Sequence, residues 1–597
     1  MLYCLGQRPI SFWLKIIILM KYLNTILPIL LFALLSFIIV FPLLSPGFIL
    51  TMDIAFTPKL PIPSLTSPVF FFGSLLSFAS LIIPSYFVQK LMLFLVFFLS
   101  GWGMYGLVPR KYGMIALFGG IFYAINPFVY ERVMAGKWQF LLGYSLFPFV
   151  ISSIINFFDQ LEKKSALFLA VWASILLNLV VHYSLVLIAV ILIYGAVYVY
   201  FHQEKIPLII KRLFLFSVLA FLFNINWLLP SILGLAGAGQ MVNMFDSSDL
   251  TAFQSVPDRN FGLIFNLLSG FGFWPEVYDY FISSKSIIFF WPLLSILIIF
   301  LSFVGVVKTF QEKEKKDFPL ILTLIMLFIL SLDLAGGVAL KSSANFFYYL
   351  YEIFPPLRGF REPQKLVGII MFCYAYFGSI GLSSLISRVK NSRLLSIVCY
   401  LLILLPFLYT PTVLGGFWGQ LKPVFYPESW YKVDKILKND KDSFLTVFFP
   451  WHQYMRFAFI NNRVVTNPAP YYFEKAVLTS QSYETAPLDS HDTRIEALHV
   501  EGLLGIEKEG KNLLDDPVSR KIKWGESLAP INAKYIILSK DDDWLNYRFL
   551  NRQTDIEKIY EGNDIVLYQN LSFGKEIEVE ENQEDENFEE SSYPLEE

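Results

Sequence analysis

What this chain has little of narrows it first. Only 16% of its 597 residues are charged, against 55% hydrophobic and 17% aromatic. Soluble domains carry about 25% charged residues, so the water-exposed surface of several globular domains could not be covered. The three cysteines, Cys4, Cys373 and Cys399, are scattered, and two sit inside apolar runs, which argues against a disulfide framework or a thiolate metal site. Five histidines in the whole chain argue against a multi-histidine metal centre. A Walker loop, a Rossmann glycine fingerprint, a kinase signature and a 20–50-residue repeat are all missing, so nothing points to a nucleotide-binding fold or a solenoid.

What the chain does have is long apolar runs without charge, such as Ile26–Leu44 and Ile287–Val307. Runs of 18 or more residues are long enough to cross the ~30 Å hydrocarbon layer as helices. Eleven spans are expected: Tyr22–Leu44, Leu91–Val108, Met114–Tyr130, Trp138–Phe158, Ala166–Val181, Leu185–Phe201, Leu213–Leu235, Ile287–Val307, Phe318–Gly336, Leu366–Ile386 and Leu394–Leu414. Ser67–Pro84 is apolar but interrupted by Pro, Gly and Ser, and reads as an interfacial or re-entrant segment. Met1–Lys21 is a basic cytoplasmic lead-in, with Met20 as an alternative start.

Charge in the loops sets an orientation. With the N-terminus inside, the inner loops hold seventeen Lys/Arg in about 65 residues and the outer loops ten in about 140. An odd number of spans then puts the chain after 414 outside. Residues 415–575 are different material. Short β-rich runs occur at Phe444–Phe449, Arg463–Thr466, Ala533–Ser539 and Asp564–Gln569, with helical patterns between them as at Arg494–Glu507. The expected fold is thus an α-helical polytopic membrane domain over 22–414 and an extracytoplasmic α/β domain over 415–575. Residues 576–597 carry eleven acids and no base, an acidic tail expected to be disordered.

Four features fall on the expected outer side. Asp53 is the only acid in the first outer loop, and it sits among Phe, Ile, Leu and Met, a setting that suits a general base. The segment Asn126–Tyr144 supplies Glu131, Arg132 and Lys137. Phe354–Lys365 brings Arg358, Arg361, Glu362 and Lys365 to the mouth of a late span, with Pro363 suited to its first turn. Cations on the outer side run against the orientation rule, and arginines at a helix N-terminus make a site for phosphate. His182 lies in a short turn beside them. Each has a plainer reading: a solvated loop carboxylate, an interfacial aromatic belt, snorkelling anchors and a polar turn tip. Asp440–Asp442 and Asp541–Asp543 read as solvated loops, and Asn570-Leu571-Ser572 is a weak glycosylation sequon. No dedicated metal motif occurs, and the need for a divalent cation stays open.

These motifs resemble a family. An acid directly after span one, an Asn-Pro-Phe…Gly segment at spans three and four, and Arg361-Glu362-Pro363-Gln364-Lys365 at a late span are similar to multispanning glycosyltransferases of the GT-C fold. The likeness is to YfhO-type membrane proteins and, more loosely, to mycobacterial arabinofuranosyltransferases. Pro450–Tyr454, Asn467–Pro470, Lys534–Ile536 and Val566–Tyr568 resemble that group's C-terminal region. The resemblance implies a catalytic base at Asp53 and a polyprenyl-phosphate sugar as donor. Many relatives pair this acid with another. Thr51 and Thr57 cannot stand in for a carboxylate, which leaves Glu131 or Asp333, one-acid catalysis, or lost activity.

The expected partners are the bilayer, the donor and a glycan acceptor, with no nucleic acid. The donor phosphate would rest near Arg132, Lys137, Arg358, Arg361 and Lys365, with Glu131, His182, Asp333 and Glu362 in support. Two rivals remain: a transporter or flippase of a lipid-linked saccharide, and an inactive scaffold that displays residues 415–575. Carriers keep ionisable groups near the midplane, whereas here they collect at one face.

Overall fold

The computed structural model describes residues 26–234, 247–312, 317–342, 344–388, 393–482, 484–485, 488–489, 492–505 and 523–575. The basic lead-in and the acidic tail lie outside the described residues. By internal contacts the chain divides into two units, the first comprising Met1–Glu428, His452–Glu474 and Ser480–Thr493, the second Ser429–Trp451, Lys475–Thr479 and Arg494–Glu597.

The first unit is helical. Among the described residues nine helices are long and apolar enough to cross a membrane: Ile26–Leu43, Ser85–Leu107, Arg110–Met134, Trp138–Gln160, Tyr183–Phe201, Gln203–Phe223, Trp291–Glu312, Phe318–Ala339 and Pro363–Arg388. The other two expected spans have weaker counterparts. Ala166–Val181 falls on Lys163–Leu179, a helix of 17 residues. Leu394–Leu414 falls on a succession of short pieces, Arg393–Leu401, Leu402–Leu404 and Leu405–Tyr409, broken at Pro406 and Pro411. The apolar segment around Ser67–Pro84 forms the helix Phe70–Ile82, whose 13 residues are too short to span. Its Leu75, Leu81 and Ile82 are exposed, as a lipid-facing surface requires.

Burial is graded across these helices. Pro363–Arg388 is enclosed along nearly its whole length, whereas Gln203–Phe223 is almost bare. The central helix packs against Trp291–Glu312 through glycine. A Cβ at Gly381 would meet the Leu301 carbonyl oxygen at 1.8 Å, and one at Gly305 would meet that of Phe377 at 1.9 Å. Small residues that let backbones touch are how apolar helices associate where water cannot drive them together. Residues 452–474 add a hairpin, Tyr454–Phe457 against Arg463–Thr466, to this unit.

The second unit is built on a five-stranded sheet. Its order is Val477–Leu478, Leu445–Phe449, Ala533–Ser539, Ile565–Asn570 and Ile556–Glu561, parallel over the first three strands and antiparallel thereafter. Side chains alternate across it. Val447, Phe449, Ile536 and Leu538 enter a core with Trp524 and Tyr547, while Phe448 meets Trp430 of the helix Glu428–Asn439 on the other face. Helix Ile495–Leu504 ends at Gly505, whose φ of +67° closes it.

Two minor expectations for this unit change. The sequon asparagine Asn570 is buried and donates to the Gly525 and Ala533 carbonyls, so it is not presented for modification. Asp440 is not a free solvated carboxylate. Despite partial burial, Lys534 at 2.5 Å, the Asp442 amide and the Tyr535 hydroxyl pull its pKa down to about 2.

Candidate functional site

The site is assembled in the first unit, starting from the Asn-Pro-Phe segment. Asn126 caps the helix Pro127–Met134 by accepting from the Val129 amide at 3.0 Å, and Pro127 opens its first turn. The helix ends at Ala135, and Gly136, at φ +74°, turns the chain into the next helix, Trp138–Gln160. A Cβ on Gly136 would lie 2.5 Å from the Thr51 carbonyl oxygen and 2.6 Å from the Ile54 nitrogen, so only glycine fits.

That close approach holds the loop carrying Asp53. The Asp53 amide donates to the Ala135 carbonyl at 3.2 Å, and the Thr51 hydroxyl donates to the Met134 carbonyl at 2.7 Å. From the other side Met52 pairs with the strand Arg463–Thr466, its amide on Val464 and its carbonyl taking the Thr466 amide. Thr51 is therefore occupied in structure, as is Thr57, whose hydroxyl donates to the Lys59 carbonyl.

A chain of charges runs from this loop. Lys137 Nζ lies 2.7 Å from Asp53 Oδ2 and 3.0 Å from Glu362 Oε1. The other Asp53 oxygen, Oδ1, accepts from the Tyr454 hydroxyl at 2.6 Å. Glu362 Oε1 also accepts from Trp274 Nε1 at 2.9 Å, and its Oε2 lies 3.3 Å from Lys365 Nζ. Lys365 donates to the Gly359 carbonyl and sits 3.4 Å from His182 Nε2. Arg361 lies over the Phe253 ring, 3.8 Å from Asp249. Pro363 sits in the first turn of the helical run, as expected, and so fixes Glu362 and Lys365 at its start.

The electrostatics follow from this arrangement. Burial opposes the charge on Lys137, but the Asp53 and Glu362 carboxylates outweigh it and raise its pKa above the ordinary lysine value. Burial would raise Glu362, yet Lys137, Lys365 and the Trp274 hydrogen bond hold it well below the usual carboxylate range. His182 is pushed well below its ordinary value by burial and by the Lys365 charge, so it is neutral at neutral pH.

These side chains line a cavity of about 1440 Å³. Of the ten residues singled out in the sequence, six line it: Asp53, Lys137, His182, Arg361, Glu362 and Lys365. Three are cations and two are carboxylates, with Asp249 as a further carboxylate behind Arg361, so charge is concentrated at this end. The rest of the wall is largely apolar, with Phe72 and Leu76 of the short helix Phe70–Ile82, Leu185 and Ile188 of Tyr183–Phe201, and Leu228 and Ile232 of Ile225–Ile232.

The other four residues do not line the cavity. Asp333 is exposed on the helix Phe318–Gly336. Arg358 donates to the Tyr351 carbonyl at 3.3 Å. Glu131 is fully buried, with Oε2 3.4 Å from Arg132. Arg132 is only 2% exposed, lies over the rings of Phe128 and Phe273, and donates to the Gln364 carbonyl.

Asp53 also differs from the apolar setting expected for it, since its neighbours are an ammonium and a phenol and its side chain is 30% exposed. Tyr454 and Trp274 were not singled out for the site. Tyr454 closes the Pro450–Tyr454 motif, which was the one hint to it, and Trp274 carried no signal beyond an aromatic-rich loop. Among the described residues no group of three or more His, Cys, Asp or Glu is placed to hold a metal ion.

Among solved structures, the chain is similar to the arabinofuranosyltransferase AftD from mycobacteria, with a TM-score of 0.53 and 13% identity, over 91% of this chain and 39% of that one. A mutant form of AftD gives a TM-score of 0.54 and 12% identity, over 91% and 41%. The chain thus spans about two-fifths of the length of that protein. The likeness shows a GT-C-type membrane fold, in line with the arabinofuranosyltransferase side of the sequence resemblance; the YfhO-type side draws no support from these neighbours. No protein-family model and no curated protein matches the chain.

Proposed function

We propose that this protein is a membrane glycosyltransferase that moves a sugar from a polyprenyl-phosphate donor to a glycan or lipid-linked acceptor on the extracytoplasmic face. The observation that carries the reading is one cavity with two characters: a charged end where three cations flank an ordered carboxylate, and apolar walls reaching away from it. A ligand with a phosphate head and an isoprenoid tail has the same division. The tail lies along Phe72, Leu76, Leu185, Ile188, Leu228 and Ile232, and the phosphate faces Arg361 and Lys365.

Asp53 acts as general base. It takes the proton of an acceptor hydroxyl whose oxygen bonds to the anomeric carbon as the bond from that carbon to the phosphate oxygen breaks, with inversion. The electron pair leaves on the polyprenyl phosphate, whose growing negative charge the two cations stabilise. Arg132, enclosed by rings and bonded to Gln364, supports the turn that carries Glu362 and Lys365 rather than meeting the phosphate. In this reading residues 22–414 are the transferase domain, and 415–575 form an outer domain that holds the acceptor. The fold of AftD, named as an arabinofuranosyltransferase, supports the class of reaction and leaves sugar and acceptor open.

The test is transfer from a polyprenyl-phosphate sugar in membranes carrying Asp53→Asn. The variant is expected at normal abundance with transfer reduced at least about 100-fold, the lower end of what a general base contributes. Full activity in that variant would end the assignment.

A further inference from the structure

We infer that the Lys137 ammonium is the resident cation of this site: it occupies the position between Asp53 and Glu362 that a divalent metal would otherwise take. The inference rests on the glycosyltransferase reading for its meaning in catalysis, but the binding geometry stands apart from it.

Two carboxylates that face a common point need a positive charge between them, or one of them takes up a proton and is lost as a base. Lys137 supplies that charge at 2.7 and 3.0 Å. The ammonium does not arrive by a swing of a loose side chain. Its backbone follows Gly136, whose contact with Thr51 and Ile54 leaves no room for a Cβ, and its amide donates to the Arg132 carbonyl at 2.9 Å.

The carboxylates themselves have little left to offer a metal. Each of their four oxygens already faces a fixed donor: Tyr454 on Asp53 Oδ1, Lys137 on Oδ2, Lys137 and Trp274 on Glu362 Oε1, and Lys365 beside Oε2. Magnesium and calcium need oxygens at about 2.0–2.6 Å with several further ligands, and the ammonium stands where the ion would sit. The raised pKa of Lys137 and the depressed pKa of Glu362 agree with a permanently charged bridge.

Two consequences follow. Lys137 is a positioning residue that holds Asp53 aimed, while in the glycosyltransferase reading Arg361 and Lys365 meet the phosphate. Transfer then proceeds without an added divalent cation. Removing the ammonium while keeping its volume should turn the pair of carboxylates into a metal site.

The experiment uses the full chain in nanodiscs, with manganese as the probe and two readouts: paramagnetic detection of bound Mn²⁺, and thermal stability in chelator against millimolar Mn²⁺. The wild type is expected to bind no Mn²⁺ that depends on Asp53 and to melt at the same temperature in both solutions. Lys137→Met is expected to bind Mn²⁺ at least about tenfold more tightly than the wild type, because Asp53 and Glu362 lose the cation they share, and to regain stability when Mn²⁺ is added. The gain should vanish in Lys137→Met combined with Asp53→Asn. Lys137→Arg keeps the charge and should stay indifferent to the metal.

Wild-type Mn²⁺ binding that is lost in Asp53→Asn would overturn the inference, and this arm decides it even if Lys137→Met does not fold. A folded Lys137→Met that gains no affinity would overturn it equally. An indifferent wild type that transfers no sugar would count against the proposed function while leaving the cation assignment in place.

Discussion

Two groups of charged side chains occupy the helical unit, and they are spent differently. In one, Asp53, Lys137, Glu362 and Lys365 form a continuous chain of ion pairs along the wall of a large cavity. In the other, Glu131 and Arg132 are fully enclosed, with the guanidinium carbon 4.4 Å from the Phe128 ring centre and 3.8 Å from that of Phe273. Lys285 belongs to the same kind of enclosure, held by Glu276 at 2.9 Å and Asn266 at 2.5 Å with the Phe271 ring over its ammonium. Close pairing of opposite charges is common to both. What separates them is whether a face of the charged group remains available to something that enters from outside. A cation enclosed by rings and a backbone carbonyl has been used to hold the protein together, and one that borders a cavity can still meet a ligand.

The comparison can be broken by mutation. The largest effect is expected on stability from the enclosed group. Arg132→Ala breaks the buried contact with Glu131 and empties the space between the Phe128 and Phe273 rings, which should cost roughly 3–5 kcal/mol, seen as a large loss of folded protein in the membrane. Asp53→Asn, at the cavity, should melt close to the wild type in the same assay. If Arg132→Ala folded normally and only weakened the donor, the enclosed cluster would be functional after all.

A next effect separates cations by place. Arg361→Ala removes a cavity charge and should raise KM for a polyprenyl-phosphate donor about tenfold or more, given the roughly 1.5–3 kcal/mol of a hydrogen bond to a charged group. Arg358→Ala, off the cavity wall, should leave KM unchanged; equal effects would mean that the cavity does not sort these residues. Smaller again is Tyr454→Phe, which removes one hydrogen bond from Asp53. It should lower kcat by up to roughly tenfold, at about 0.5–1.5 kcal/mol, with little change in KM.

The smallest effect concerns pH and His182. Its folded pKa lies well below the unfolded value of 6.5, so the unfolded chain binds the proton first as the solution is acidified. Stability from this group is complete above about pH 6.5 and falls as pH drops toward the folded pKa. Glu362, depressed from 4.5, adds a second loss only below that value. Melting curves of wild type and His182→Gln between pH 7 and 5 check the first step, and the variant should have a flatter profile.

Much of the fold could be read from residues alone, because membrane spans are written as uninterrupted apolar runs. Nine of the eleven expected spans overlap long helices, though Leu213–Leu235 meets Gln203–Phe223 only over its first half, and the two that do not are those whose helices are short or cut by proline. The strands at 445–449, 463–466, 533–539 and 565–570 were also legible as β-branched and aromatic runs. The site was legible in part. Asp53 stood out as a lone acid and Glu362 came with its Pro363 motif. Tyr454 reaches Asp53 across 401 residues of chain, and Trp274 reaches Glu362 across 88, distances over which no local pattern points. Nor could sequence separate Arg132 from Lys137. Both are cations of one short segment, five residues apart, and only the packing of Phe128 and Phe273 shows that the first is closed off.

The claim at the centre of this account is that the charged end and the apolar walls serve one amphipathic ligand. Photo-crosslinking with a polyprenyl phosphate bearing a diazirine in its tail tests it directly. Labelling is expected on peptides containing Phe72, Leu76 or Leu228, and it should fall sharply when Arg361 and Lys365 are both replaced by alanine. Labelling confined to other helices, or unchanged by loss of the two cations, would contradict the claim.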